Sequence, residues 1–406
     1  MEGETSWIPS RFSGIGREMI GEDTFLDSND EVGVDLSVVS LDFLLPDDLL
    51  ERILACLPIA SIFRAKLVCK RWLEIVSSDR FLWHFSSITS HKPWYFMFTS
   101  NEGPFGFAYD PILRKWYSIH LPCIGATNWF IASSCGLVCF MDNSSRSQLY
   151  VCNPITKISK KIEVPSEPEQ LDYSALSMSV DLQSNSYTVA VLKSKQVPDD
   201  FLQWNLSIQV YDSDTESWVT SVTEVLRGWR GGDESVICNG IFYFLIYSTG
   251  VMATSEYRHR LVMYDLASRS SRFSLMQNLI SVPCPLTCGR LMNLKNRLVM
   301  VGGIGKQDRP DIIKGIGIWV LDKTEWQEVA RMPHKYFQGF GELDDVFSSS
   351  GTDDLIYIQS YGSPILLIFD MSQKQWKWSQ KCPVSKRFPL QLFTGFCFEP
   401  RLEVAP

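Results

Sequence analysis

Phe107-Ala-Tyr-Asp-Pro-Ile-Leu-Arg-Lys-Trp116 states a phrase that the chain repeats: apolar and aromatic residues, an Asp, a short polar turn and then Trp. It returns as Leu149-Tyr-Val-Cys-Asn-Pro154, Val210-Tyr-Asp-Ser-Asp-Thr-Glu-Ser-Trp218, Val262-Met-Tyr-Asp265, Val320-Leu-Asp-Lys-Thr-Glu-Trp326 and Ile368-Phe-Asp-Met-Ser-Gln-Lys-Gln-Trp376. The Asp or Asn stands at 110, 153, 212, 265, 322 and 370, a mean spacing of 52 residues. A carboxylate at that place accepts hydrogen bonds from backbone N–H groups two residues on and so fixes a turn. The Trp brings a large apolar surface to bury. A period near fifty residues built from short strands is that of four-stranded propeller blades.

Working outward, a second apolar strand precedes most copies: Gly136-Leu-Val-Cys-Phe140, Tyr187-Thr-Val-Ala-Val-Leu192, Gly240-Ile-Phe-Tyr-Phe-Leu-Ile246, Arg297-Leu-Val-Met-Val-Gly-Gly303 and Asp354-Leu-Ile-Tyr-Ile-Gln359. Each blade then reads as an inner apolar strand, a loop, the aromatic–Asp strand, a tight turn and an outer Trp strand. No blade buries both faces alone, and stacking in a ring solves that. Six blades are counted, with Leu390–Glu399 as a strand that closes the ring; seven remain open. Residues 91–404 resemble a kelch-repeat propeller, although the Gly-Gly doublet typical of the family survives only at Gly302-Gly303. Gly231-Gly232 reads as part of a loop.

Ahead of the repeats lies a segment of another texture, Leu41-Asp-Phe-Leu-Leu-Pro-Asp-Asp-Leu-Leu-Glu-Arg-Ile-Leu-Ala-Cys-Leu-Pro58. Pro46 followed by Asp47 and Asp48 starts a helix, because Pro suits the first turn and carboxylates favour the N-terminal end of the dipole. Apolar residues at 49, 50, 53, 54 and 57 keep helical spacing, and Pro58 stops it. Ser61 is placed to cap a second helix, a third holds Trp72, Ile75 and Val76, and Phe81, Leu82 and Trp83 follow. Three short helices cannot bury this much apolar surface, so the surplus marks either a partner site or packing against the following domain.

The segment resembles an F-box. Leu45-Pro-Asp-Asp-Leu-Leu50, Ile53-Leu54, Leu57-Pro58 and Val68-Cys-Lys-Arg-Trp72 match that family's pattern in order, with Phe63 where Leu is frequent. The resemblance implies a docking module over 41–86 for the Skp-type adaptor of a cullin–RING ubiquitin ligase. It implies adaptor contacts from Leu45, Pro46, Leu49, Leu50, Ile53, Leu54, Leu57, Pro58, Val68, Cys69 and Trp72. The expected fold is thus a small all-α F-box of three short helices followed by an all-β kelch-type propeller. The order of elements resembles that of plant F-box/kelch-repeat proteins.

Composition narrows the classes. The 406 residues are 45% apolar and 21% charged, with a net charge of −8. Residues 1–40 carry nine Asp or Glu against Arg11 and Arg17, leaving −1 for the other 366. The acidity belongs to a solvated arm, and the balance excludes a general nucleic-acid-binding surface. Eleven cysteines with no basic-then-apolar leader read as free thiols in a reducing interior, so nucleus and cytoplasm are the expected compartments. The apolar run around Ile241–Tyr247 reads as a strand rather than a membrane span, since Asn239, Gly240 and Gly250 interrupt it.

Catalysis finds little footing. His84, His91, His120, His259 and His334 keep no metal-ligand spacing, and neither Cys135/Cys139 nor Cys284/Cys288 has a second pair. Gly302-Gly-Ile-Gly-Lys306 lacks phosphate-loop spacing. No cofactor and no metal are expected. Two readings stand: a substrate receptor holding a target protein for ubiquitination, and a propeller enzyme of oxidase or glycosidase type with a helical appendage. For a target, the long connections Lys193–Gln203, Ser248–Arg260, Ile304–Gly315 and Met332–Asp345 share one face of the ring. Trp204, Trp229, Arg230, Tyr257, Arg258, Arg309, Tyr336 and Phe337 are the candidate contacts there, as aromatic and Arg residues make favoured anchors.

Overall fold

Six four-stranded antiparallel sheets follow four short helices in a computed structural model. It describes residues 45–87, 92–99, 105–121, 129–142, 147–165, 173–250, 258–267, 274–277, 279–305, 312–339, 347–384 and 393–406. The acidic arm at 1–40 lies outside these. By internal packing the chain falls into two units, residues 1–50 and 51–406.

The helices are α1 (Asp47–Ala55), α2 (Ile59–Ala65), α3 (Lys70–Val76) and α4 (Asp79–Ser87). The Pro46 carbonyl accepts from Leu49 and Leu50 N–H, both at 3.1 Å, which opens α1. Asp47 and Asp48 sit in its first turn, where the dipole favours them. Residues 81–83, read as trailing, belong to the fourth helix. The sequence placed a cap at Ser61, but Pro58 caps α2 and Ser61 lies inside it. The side-chain cap is Ser78, whose Oγ accepts from Phe81 N–H at 3.2 Å and starts α4. Leu50, Leu54, Ile59, Ile62, Val76, Phe81 and Phe85 are buried, and the rings of Phe81 and Phe85 stack at 6.0 Å. Within the second unit, Glu51 is buried and ion-paired to Arg80 (3.4 Å), with His84 Nε2 3.3 Å from its other carboxylate oxygen, which brings the C-terminal part of α1 to α4.

Blade one holds β1 (Trp94–Thr99), β2 (Phe105–Asp110) and β3 (Lys115–His120), and blade two β4 (Trp129–Ser134), β5 (Leu137–Asp142), β6 (Gln148–Cys152) and β7 (Ser159–Glu163). Blade three holds β8 (Tyr173–Asp181), β9 (Ser186–Val197), β10 (Asp200–Asp212) and β11 (Ser217–Arg227). Blade four holds β12 (Trp229–Cys238), β13 (Ile241–Ser248), β14 (His259–Asp265) and β15 (Leu279–Ser281). Blade five holds β16 (Leu286–Leu294), β17 (Arg297–Gly305), β18 (Ile313–Asp322) and β19 (Glu325–Arg331). Blade six holds β20 (Ser348–Thr352), β21 (Leu355–Gln359), β22 (Leu366–Asp370) and β23 (Gln375–Trp378). The last strand, β24 (Phe393–Phe398), joins blade one by pairing with β1 from Trp94↔Phe398 to Thr99↔Phe393. The expected closing strand is therefore present, and it completes blade one, so the ring has six blades and not seven.

The repeated phrase occupies the third strand and the turn after it. Asp110 Oδ1 accepts from Ile112 and Leu113 N–H, Asn153 Oδ1 from Ile155 and Thr156, Asp212 Oδ1 from Asp214 and Thr215, and Asp370 Oδ1 from Ser372 and Gln373. Asp322 departs from this because only Lys323 and Thr324 separate β18 from β19. The Trp rings pack on the aromatic residue of the strand before, Tyr109–Trp116 at 5.1 Å, Tyr211–Trp218 at 5.3 Å and Phe369–Trp376 at 4.5 Å. Three indoles also reach the preceding blade's side: Trp116, Trp218 and Trp326 Nε1 donate to the carbonyls of Gln380, Glu163 and Ser281.

Strand order corrects the sequence reading. The runs taken as inner, such as 136–140 and 187–192, are second strands; the innermost are β4, β8, β12, β16, β20 and β24. These line a channel, and several of them, β20 (Ser-Ser-Ser-Gly-Thr) above all, are too rich in Ser, Gly and charged residues to carry an apolar signal. Their side chains close a belt around the axis across every blade boundary. Ser133 Oγ donates to the Cys397 carbonyl (2.6 Å), Ser134 Oγ accepts from Val180 N–H (3.1 Å), and Ser177 and Ser235 hydroxyls meet at 2.6 Å. Arg290 pairs with Glu234 and donates from Nε to the Phe347 carbonyl (3.0 Å), and Ser350 Oγ accepts from Cys397 N–H (3.0 Å).

Two glycine pairs find their reason here. Gly302 and Gly303 lie in buried β17, where a Cβ would stand 2.7 Å from Leu286 and 2.9 Å from Ile313. They allow close packing and form no phosphate loop. Gly231 and Gly232, read as loop, sit in β12 at a bulge, and a Cβ on Gly232 would fall 2.2 Å from the Tyr247 ring.

Candidate docking surfaces

The helical segment presents apolar side chains out of proportion to its size. Of the fourteen large exposed hydrophobic residues among the described ones, seven lie between 49 and 83: Leu49, Ile53, Phe63, Leu67, Val68, Leu73 and Trp83. Leu67 is 84% exposed, Trp83 66% and Val68 57%, values that no packing within the helices accounts for. Of the sequence candidates, Pro46, Leu49, Ile53 and Val68 are exposed, and Leu45, Leu57, Pro58, Cys69 and Trp72 are half-buried. Leu50 and Leu54 are 3% and 1% exposed, so neither is presented at the surface as a contact. The sequence reading missed Leu67, Leu73 and Trp83; their departure from the buried positions of their helices was the available signal.

The ring has two faces. The chain enters at Trp94, which pairs with Phe398 at the end of an innermost strand. On that face lie the first-to-second and third-to-fourth turns. The opposite face carries the second-to-third and fourth-to-first connections, including all four regions picked from sequence. The channel between them, about 710 Å³, is lined by the belt residues, with Phe85, Ser86 and Ser87 from the end of α4 also contributing to its wall. Burial pushes the Glu234 carboxyl up, while Arg290 beside it draws it back and itself stays charged. Among the described residues no three His, Cys, Asp or Glu side chains gather as a metal set.

The eight target-contact candidates separate. Tyr257 and Arg309 lie outside the described residues. Trp204 is buried in β10. Tyr336 and Phe337 sit on α5 (His334–Gly339) and pack on the core of blades five and six, with Tyr336 Oη donating to the Trp376 carbonyl at 2.9 Å. Trp229, Arg230 and Arg258 come together on one rim. Trp229 faces Ser248 across β12 and β13, Ser248 N–H donates to the Arg258 carbonyl (2.9 Å), and the Arg230 guanidinium lies 4.9 Å over the Tyr247 ring. Beneath them His259 is 5% exposed and edge-on to Tyr247 at 4.6 Å. Burial, with Arg258 and Arg230 nearby, lowers its pKa to about 4.

The connection expected at Lys193–Gln203 is no loop. β9 and β10 run on as a hairpin that turns at Pro198–Asp199, and β9 is twice the length of β5, twelve residues against six. The added six residues project about 20 Å of strand at 3.3 Å each. At its tip Phe201 is 78% exposed and Leu202 45%. Neither was read from the sequence as a contact, because this stretch reads as a long connection rather than as two strands that run on to a tight turn.

An apolar helical docking surface joined to a propeller with an elaborated rim defines a class of two-part binding protein. Comparison with known proteins identifies both parts. Residues 43–84 match the F-box domain and residues 130–375 the F-box associated beta propeller domain. The chain is 60% identical to the F-box/kelch-repeat protein At3g61590 of Arabidopsis thaliana, over the full length of both. It is 26% identical to F-box only protein 6 (87% of this chain, 73% of that one) and 25% to Protein UNUSUAL FLORAL ORGANS (84% and 79%), both of Arabidopsis thaliana. The chain belongs to the plant F-box/kelch-repeat protein family.

Proposed function

We propose that this chain is the substrate-recognition subunit of an SCF-type (Skp–cullin–F-box) E3 ubiquitin ligase. Its F-box docks the Skp-type adaptor and, through it, the cullin and RING subunits. Its propeller captures a target protein on the face away from the point where the chain enters the ring. The observation that carries this reading is the concentration of exposed apolar side chains on α1 to α4. The subunit itself is non-catalytic: it acts by proximity, raising the effective concentration of target lysines at the charged enzyme. Its partners are proteins rather than nucleic acid or membrane, and it works in nucleus or cytoplasm. Within the family, the order of acidic arm, F-box and degenerate repeats resembles that of the HAWAIIAN SKIRT F-box protein.

Co-purification with a recombinant Skp-type adaptor tests the reading. The wild type is expected to form a stoichiometric complex, and the Leu45→Ala/Pro46→Ala variant to lose it while its propeller melts normally. A wild type that forms no complex would reduce the F-box to a structural appendage and revive the propeller-enzyme reading.

A further inference from the structure

The rim of blades three and four has the chemistry of a selective binding edge. A run of backbone hydrogen bonds joins its parts into one surface. Gly228 N–H donates to the Leu202 carbonyl (2.7 Å), Thr249 N–H to the Gly228 carbonyl (2.9 Å) and Ser248 N–H to the Arg258 carbonyl (2.9 Å). The projecting tip with Phe201 and Leu202 is thereby fixed beside Arg227, Trp229, Arg230 and Arg258. Arg227 and Arg258 are exposed, and Arg230 is half-buried on the Tyr247 ring. The neutral state of the buried His259 accords with the positive potential of Arg230 and Arg258 above it.

Such a surface offers guanidinium groups to carboxylates and an exposed aromatic–aliphatic pair to one apolar side chain. We infer that this rim takes an acidic peptide segment of the target that bears an aromatic or branched apolar side chain, the arginines binding the carboxylates and Phe201 with Leu202 the apolar group. The inference rests on the receptor reading and gives it a substrate class. Charge favours a peptide over a nucleic acid. The chain is net negative, and Asp199 and Asp200 at the hairpin turn would repel a continuous polyanion.

The test uses the full chain on an array of short peptides that permute Asp, Glu, Ser, Lys, Leu and Phe. A fluorescent duplex DNA serves as a competing probe. Acidic peptides containing Phe or Leu are expected to be selected, with affinity falling as salt rises. Arg227→Glu/Arg258→Glu is expected to weaken them on the order of tenfold or more. Phe201→Ser/Leu202→Ser is expected to keep the acidic preference and lose the apolar one. Melting and adaptor binding of both variants should match the wild type, since all four residues are exposed. Selection of neutral or basic peptides, selection of none, indifference to the charge reversal, or tighter binding of the duplex would each overturn the inference. If the adaptor fails to bind but acidic peptides are still selected, the receptor reading falls and the rim's specificity stands.

Discussion

The helical segment and the rim of the ring are the two surfaces proposed to meet partners, yet their exposed groups have opposite physics. Between residues 49 and 83 the exposed groups are aliphatic and aromatic, on helices too short to be stable without tertiary packing. On the rim of blades three and four the exposed groups are guanidinium and aromatic, on a rigid frame of paired strands. Burial of apolar area is insensitive to salt and well suited to a permanent partner that is the same in every complex. Charge confers choice between partners and depends on ionic strength. On the proposed function, one chain thereby holds a generic attachment and a selective one.

If the two regions are energetically separate, damage to one should spare the other. The largest effect is expected from Leu45→Ala with Pro46→Ala, at about 2 kcal/mol or more of adaptor affinity for each anchor removed. A calorimetric titration reads the loss, and the propeller's melting temperature should not move. Next comes Arg290→Met, which leaves Glu234 in the channel wall without its partner. Denaturant unfolding should show about 3 kcal/mol of lost stability, while adaptor affinity in the folded protein holds.

Acid should also strike the ring selectively. His259 is neutral in the folded protein, with a pKa lowered to about 4, and rises to its ordinary value on unfolding. The unfolded chain therefore binds more protons between those values, so stability declines as pH falls from about 6.5 toward 4. At pH 5 the loss is about 2 kcal/mol. Arg258, Arg230 and the Tyr247 ring are the groups that face it. Urea unfolding at pH 7 and pH 5 should show this decline in the wild type and a smaller one in His259→Gln. The smallest effect, about 1 kcal/mol, is expected for Ser177→Ala, which opens one link of the channel belt. A loss several times larger would mean that the belt acts as a unit.

Much of this architecture was legible because it rests on periodic apolar patterns. The aromatic–Asp phrase fixed the third strand and its turn in each blade, and Asp110, Asp212 and Asp370 make the turn bonds their chemistry implies. Apart from β24, expected at Leu390–Glu399, the innermost strands escaped. Ser348-Ser-Ser-Gly-Thr352 carries no apolar pattern, since its side chains face a channel and bond across blades rather than filling a core. At the docking surfaces, helical spacing could not tell buried Leu50 and Leu54 from exposed Leu49 and Ile53, because both pairs keep an i, i+4 interval. The protruding hairpin was hidden for a similar reason. Strand length and bulging decide that Phe201 stands out, and neither is written in the alternation of residues.

On the proposed function, the F-box docks its partner through side chains left apolar and exposed. Titration of a Skp-type adaptor into the wild type and into Ile53→Ser/Val68→Ser tests it most directly. A tight complex with the wild type, a weakening on the order of a hundredfold in the variant, and equal melting of the two propellers are expected. Equal affinity in both proteins, or no complex with either, would contradict it.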